Sequence, residues 1–392
     1  MNTDLNADIG VIGLGVMGQN LILNMNDHGF RVAVFNRTPS KVDEFLNGNA
    51  KGTNVVGVYS PEELIASLTR PRRIMFMVKA GRAVDMVIET LLPHLEEGDI
   101  IIDGGNANFE DSIRVGKYLE SKNLLYVGCG VSGGEEGARN GPSMMPGGTK
   151  AAWPHVKGLF QAISAKAPDG TPCCDWGGDS GAGHFVKMVH NGIEYGDMQI
   201  ISEVFDIFKT GLGMEPGEIG DIFKKWNQRK LNSYLIDITG DILQFADEDG
   251  TPLVNKILDK AGQKGTGTWT SVSALEMSVP LTLISEAVFA RCVSALKDER
   301  LIASESLPGP GAEARFDGDK NAFINEVEEA LYASKIISYA QGYMLFRAAS
   351  DAYKWDLNYG GISLMWREGC IIRASFLEKI KEAFDNNPKL VN

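Results

Sequence analysis

The chain has 392 residues, 44% of them hydrophobic and 23% charged, the balance of a folded globular protein and more than one typical core accommodates. Its formal charge of −13 excludes a broad nucleic-acid surface, while a few converging cations can still hold a phosphorylated metabolite. The five cysteines, Cys129, Cys173, Cys174, Cys292 and Cys370, form no CxxC pair, which argues against a disulfide scaffold and a structural zinc site. With no signal-like N-terminus and no membrane-length apolar run, the expectation is a cytoplasmic protein without a membrane partner.

Short apolar runs at 9–12, 32–35, 74–78, 100–102 and 124–127 alternate with amphipathic segments, which predicts an α/β unit with a doubly wound, mostly parallel sheet. Gly and Pro crowd 128–148, where irregular backbone at the edge of a ligand site is expected. Near 179–183 the texture changes to long helical patterns, at 183–209, 216–245, 280–301 and 321–351. The expected division is therefore 1–180 and an all-α domain over 181–392. The segment 306–311 reads as a loop inside that second domain. A helical pattern at 376–384 precedes a turn, and Leu390 and Val391 read either as the start of another helix or as a frayed end.

Gly13-Leu14-Gly15-Val16-Met17-Gly18 follows the first strand and opens a helix. The first glycine permits the tight turn, the second admits a pyrophosphate to the backbone, and the third lets helix and strand pack closely. The second strand ends in Asn36-Arg37-Thr38. An NAD-selective site places an acid there for the ribose, whereas donors and positive charge suit a 2′-phosphate, so the expected cofactor is NADP. Lys79 and Ala80 after the third strand, which ends at Val78, and Asp103-Gly104-Gly105-Asn106 after the fourth, fall at carboxyl ends, where open sheets bind ligands. Lys79 also fits an ordinary surface lysine and Asp103 a loop-bonding carboxylate.

On a helix, Lys187, His190, Asn191 and Glu194 form one polar stripe carrying a cation, an imidazole, an amide and a carboxylate. The same residues fit a solvated helix with a structural histidine. His190 and Glu194 have the spacing of a metal pair, yet HExxH and a third ligand are missing, so no metal is expected. Gln263-Lys264-Gly265-Thr266-Gly267 offers a cation and a hydroxyl in a flexible turn, and with Arg291 it can bind phosphate oxygens. Lys264 and Arg291 are equally acceptable as surface charges.

These stretches, together with Gly130-Val131-Ser132-Gly133-Gly134-Glu135-Glu136-Gly137-Ala138 and Lys187-Met188-Val189-His190-Asn191-Gly192-Ile193-Glu194-Tyr195, closely resemble the decarboxylating 6-phosphogluconate dehydrogenase family, in the family's order along the whole chain. The resemblance implies a Rossmann-like domain, a large all-helical domain and a homodimer. Its reaction, a step of the pentose phosphate pathway, converts 6-phosphogluconate and NADP to ribulose 5-phosphate, carbon dioxide and NADPH. It maps cofactor contacts to the 13–18 fingerprint, Asn36, Arg37, Thr38, Val78, Lys79, Ala80 and Asn106. Substrate contacts fall on Asn106, Ser132, Gly133, Gly134, His190, Asn191, Tyr195, Lys264, Thr266 and Arg291, and proton transfer on Lys187 and Glu194. The family's partner-crossing tail, with an Arg and a His for the substrate phosphate, has no counterpart before Asn392. A non-decarboxylating β-hydroxyacid dehydrogenase, or a nucleotide-binding protein with impaired turnover, are the alternative expectations.

Overall fold

The computed structural model describes residues 6–309 and 315–391. Pro310 and Gly311 of the 306–311 loop lie outside the described residues. The chain forms two compact units whose segments interleave. Unit 1 comprises the chain up to Met188 with Ala349–Cys370 and Ile380–Leu390; unit 2 comprises Val189–Ala348, Ile371–Lys379 and Val391.

Unit 1 contains β1 (Ile9–Ile12), β2 (Val32–Phe35), β3 (Val56–Gly57), β4 (Arg73–Phe76), β5 (Ile100–Asp103), β6 (Leu125–Ser132) and β7 (Ser143–Gly148) in one sheet, ordered β3-β2-β1-β4-β5-β6-β7. All pairs are parallel except β6 with β7. The crossovers carry α1 (Val16–Asp27), α2 (Pro39–Asn47), α3 (Pro61–Ala66), α4 (Arg82–Leu91) and α5 (Phe109–Glu120), followed by α6 (Gly134–Asn140) and α7 (Trp153–Ile163). Strand alternation sends Ile9, Val11, Ile100 and Ile102 to a core shared with Leu21 and Ile22 of α1 and Leu159 and Phe160 of α7. Ile12, Ile74, Phe76 and Ile101 meet Leu64, Val84, Ile88 and Val115 in the other core. Both faces are thus apolar, so the strands read as continuous hydrophobic runs.

The 128–148 segment corrects the expectation of irregular backbone: β6 runs to Ser132 and pairs with β7 from Val127↔Gly148 to Ser132↔Ser143. Its glycines serve close approach within regular strands. A Cβ on Gly147 would lie 2.4 Å from the nitrogen of Gly183, and one on Gly130 would lie 2.3 Å from the Cβ of Lys187. The first turns of α8 (Ala182–Asp206) therefore rest directly on the sheet backbone.

α8 continues into unit 2, where it ends in a five-residue π-helix, Ile207–Gly211. The helical pattern at 216–245 becomes α9 (Pro216–Asn227) and α10 (Tyr234–Gln244), separated where Asn227 accepts the backbone N–H of Ser233. α11 (Thr266–Glu276), α12 (Thr282–Ala295), α13 (Lys297–Ser306) and α14 (Lys320–Tyr353) follow. α15 (Tyr359–Met365) and α16 (Phe376–Asn386) complete the described helices. A core of Phe208, Ile219, Phe223, Trp226, Ile236 and Leu331 joins α9, α10 and α14.

Candidate active site

At the β1–α1 turn the three glycines meet three different demands. Gly13 has φ +109, and a Cβ there would lie 2.5 Å from the carbonyl oxygen of Met77; at Gly18 a Cβ would lie 2.2 Å from that of Gly13. Around Gly15 a Cβ would find nothing within 4 Å, so the middle of the turn is open to a ligand. Gly15 is also the N-cap of α1 and provides no side-chain cap, which leaves the helix N–H groups of Val16 and Met17 available to an anion. Leu14 N–H approaches Asn36 Oδ1 at 3.5 Å, and Asn36 in turn donates to the carbonyl of Thr38.

A cleft of about 370 Å³ opens beside this turn, lined by Gly13, Asn36, Arg37, Thr38, Lys41 and Val78 among others. Arg37 is exposed and forms no ion pair among the described residues. Lys41, which the sequence reading missed, lines the same cleft. Its charge resembles that of any helix-surface lysine until the fold sets it four residues beyond Arg37 on α2. Lys79 is exposed and Ala80 half-buried after β4.

Beyond β5, Asp103 is 2% exposed and accepts the N–H of Gly105, shaping the loop that carries exposed Asn106. His184, one turn before Lys187 on α8, is buried with Nδ1 2.6 Å from the Ser112 hydroxyl. Burial lowers its pKa, opposed by Asp103 and by backbone hydrogen bonds at 103 and 105, so the imidazole is held toward neutrality. Lys187 is itself 5% exposed, its Cβ seated against Gly130. Ser132 ends β6 buried. Gly133, with φ +110, packs against the carbonyl oxygen of Gly369, where a Cβ would come within 2.7 Å; Gly134 opens α6 exposed.

In unit 2, the Asn191 amide donates to Glu194 Oε2 at 2.9 Å, while His190, fully buried, places Nδ1 3.8 Å from the same oxygen. Glu194 keeps 16% of its side chain exposed. Tyr195 is flanked on one face by the Arg291 guanidinium, 3.8 Å from the ring centroid. It also lies over Gly267, where a Cβ would come 2.5 Å from Cε2. Arg291 donates to the carbonyl of Gly262. Thr266 corrects the expectation of a flexible turn: it is the buried first residue of α11, and only Gly265, with φ +102, supplies the turn. Lys264 is exposed just before it. Tyr195, Arg291 and the start of α11 thus form one cluster, with Lys264 at its edge. Among the described residues no group of three or more His, Cys, Asp or Glu side chains could hold a metal ion.

A sheet wound outward from β1 and β4, with an open glycine turn at the reversal of strand order and a cationic cleft beside it, defines a dinucleotide-binding protein. Family models agree in detail: the NAD binding domain of 6-phosphogluconate dehydrogenase matches residues 8–178, and the 6-phosphogluconate dehydrogenase C-terminal domain matches residues 183–392. The chain belongs to the 6-phosphogluconate dehydrogenase family. It is 64% identical to the decarboxylating 6-phosphogluconate dehydrogenase of Cunninghamella elegans and 63% identical to that of Homo sapiens. Each comparison covers 98% of this chain, and 79% and 80% of those relatives. The solved Plasmodium falciparum 6-phosphogluconate dehydrogenase, studied with NADP+ and with 6-phosphogluconate, superposes with a TM-score of 0.92 at 45% identity, over 98% of this chain and 82% of that one.

Proposed function

We propose that the chain oxidises and decarboxylates 6-phospho-D-gluconate, with NADP as hydride acceptor, to D-ribulose 5-phosphate, carbon dioxide and NADPH. The observation that carries this reading is the polar face of α8. It bears Lys187, buried against Gly130, and, two helical turns further on, Glu194 held by Asn191.

The residues present fit NADP. The open backbone at Gly15 and the uncapped start of α1 suit the pyrophosphate, and Arg37 and Lys41, with Asn36 and Thr38, suit the 2′-phosphate. Leu14, Val16, Met17, Val78, Lys79, Ala80 and Asn106 complete the proposed cofactor contacts. When bound, NADP accepts a hydride from C3 of the substrate.

Neutral Lys187 takes the proton of the C3 hydroxyl as the carbonyl forms. The C3 ketone then provides the electron sink for loss of the C1 carboxylate, and protonated Lys187 gives its proton to the oxygen of the resulting enediolate, which returns the amine to its neutral form. Glu194 donates a proton to C1 of the enediol, and Lys187 accepts the proton of the C2 hydroxyl as the ketone forms. Asn191 holds Glu194, while Ser132, Gly133, Gly134 and His190 are the proposed contacts to the sugar acid. Tyr195, Lys264, Thr266 and Arg291 are assigned to the phosphate, an arrangement supported by the Arg291–Tyr195 stack.

The proposed functional division is 1–180 for the cofactor and 181–392 for substrate and dimerisation. A homodimer is supported by the family resemblance and by the number of large apolar side chains exposed in unit 2, including Leu275, Phe289, Val293 and Ile302. No helix among the described residues is long and apolar enough to cross a membrane. A cytoplasmic location is supported by the five cysteines, none of them in a disulfide and four of them buried.

Lys187→Met tests the assignment of the base. The expected outcome is NADP affinity within threefold of wild type and kcat lowered by about 1,000-fold, within the range for general acid–base catalysis. A kcat within tenfold of wild type contradicts the role.

A further inference from the structure

Asp197 lies one turn beyond Glu194 on α8, and its carboxylate accepts a hydrogen bond from Nζ of Lys335 on α14; the two side chains are 1% and 0% exposed. Taking two charges out of water is costly, and well-packed apolar side chains hold helices together as well or better. Stability is therefore a poor explanation for the pair. Burial raises the pKa of Asp197, and Lys335 opposes that shift.

The surrounding contact between α8 and α14 consists of small and apolar groups. A Cβ on Gly196 would come 2.6 Å from Ser338 Oγ, and one on Gly342 would come 2.7 Å from Ile193 Cδ1. These contacts set how closely the two helices approach, and they carry no directional bond of their own. A charge-assisted hydrogen bond is directional and has one good position. Glu194 and Tyr195 lie within three residues of Asp197, so any shift of the helix along its axis moves them together.

We propose that Asp197 and Lys335 are positioning residues that fix the axial register of α8 within unit 2, and with it the Glu194 carboxyl. The proposal rests on the reading of Glu194 as the acid that protonates the enediol carbon. One residue of helix rise is about 1.5 Å, and a misplacement of about 1 Å in a reacting group costs about 100-fold in rate.

The test uses the full chain carrying both Asp197→Leu and Lys335→Met, which replaces the charges by apolar groups. It measures exchange of the C1 hydrogen of ribulose 5-phosphate with deuterated water, with reduced cofactor present, alongside the thermal midpoint and 6-phosphogluconate affinity. The expected result is exchange slowed about 100-fold with midpoint and affinity retained. Wild-type exchange overturns the proposal, as does slowing that only accompanies a collapse of the midpoint. Asp197→Glu is the second variant, keeping the pair but lengthening it by one methylene. Slowed exchange at an unchanged midpoint supports the register role, and wild-type exchange contradicts it. Glu194→Gln, run in parallel, separates the two readings: wild-type exchange in that variant removes Glu194 as the acid, whatever the pair does.

Discussion

Arg37 and Lys41 line the cleft beside the open glycine turn, and Arg37 has no acidic partner among the described residues to compete with a phosphate. A charge-assisted hydrogen bond contributes about 1.5–3 kcal/mol, so Arg37→Ala should weaken NADP binding by about 10- to 100-fold. NAD binding should change by less than threefold. Titration calorimetry with both cofactors checks this, and equal weakening of the two contradicts a 2′-phosphate contact. The place of Arg37 beside the cleft was legible in the sequence because it lies two residues past the end of β2, where NAD-selective sites carry an acid. Lys41 was not, since only the fold turns a helix-surface lysine toward a cleft.

His184 supplies a pH dependence. Its pKa in the folded chain is lowered by burial below the ordinary 6.5, so the unfolded chain binds more protons in the window between the two values. The imidazole's contribution to stability is present above pH 6.5 and is lost as pH falls through that window. Thermal midpoints between pH 8 and 5, by circular dichroism, should fall less steeply in His184→Gln than in wild type. Parallel slopes would contradict a neutral buried imidazole. Its sequence signal was absent: His184 precedes the polar stripe, and only the packing of α8 against β6 and α5 reveals the Ser112 contact.

Among the elements, α8 matters most, and its seating depends on the strands beneath it. Gly130→Ala puts a methyl 2.3 Å from the Lys187 Cβ, too close for any rotamer change to relieve because both atoms are attached to backbone. Overpacking of this kind costs about 1–3 kcal/mol. The expected outcome is a lowered thermal midpoint together with a fall in kcat of at least tenfold, with NADP affinity nearly unchanged. Wild-type kcat in a folded Gly130→Ala protein contradicts the seating of Lys187 on the sheet. Five of the seven strands were legible because each is a short apolar run bounded by turns, whereas the two-residue β3 and the glycine-ended β7 were not. The 128–148 segment was not, because a glycine that admits a helix and a glycine that breaks a strand have the same letter. α11 was hidden for a related reason: Gly265 and Gly267 read as a loop, yet Gly267 lies inside the helix to make room for the Tyr195 ring.

At the scale of the whole molecule, the change of texture near 180 was legible because short, continuous apolar runs give way there to long segments of 3.6-residue periodicity. The return of 349–370 and 380–390 to unit 1 was not legible. Those segments are helical in pattern like their neighbours, and their place is set by long-range contacts such as the Ser143 hydroxyl on the Met365 carbonyl and the Ser143 N–H on that of Gly369. The roles of Lys187 and Glu194 came from the family resemblance and not from the polar stripe alone, and the fold adds the burial of Lys187 and the Asn191–Glu194 hydrogen bond. The central claim is that this chain couples oxidation to loss of carbon dioxide. Purified protein given 6-phosphogluconate and NADP should release one carbon dioxide per NADPH, measured by trapping labelled carbon dioxide while absorbance at 340 nm reports the reduced cofactor. NADPH formed without carbon dioxide, or neither product at saturating substrate, would contradict it.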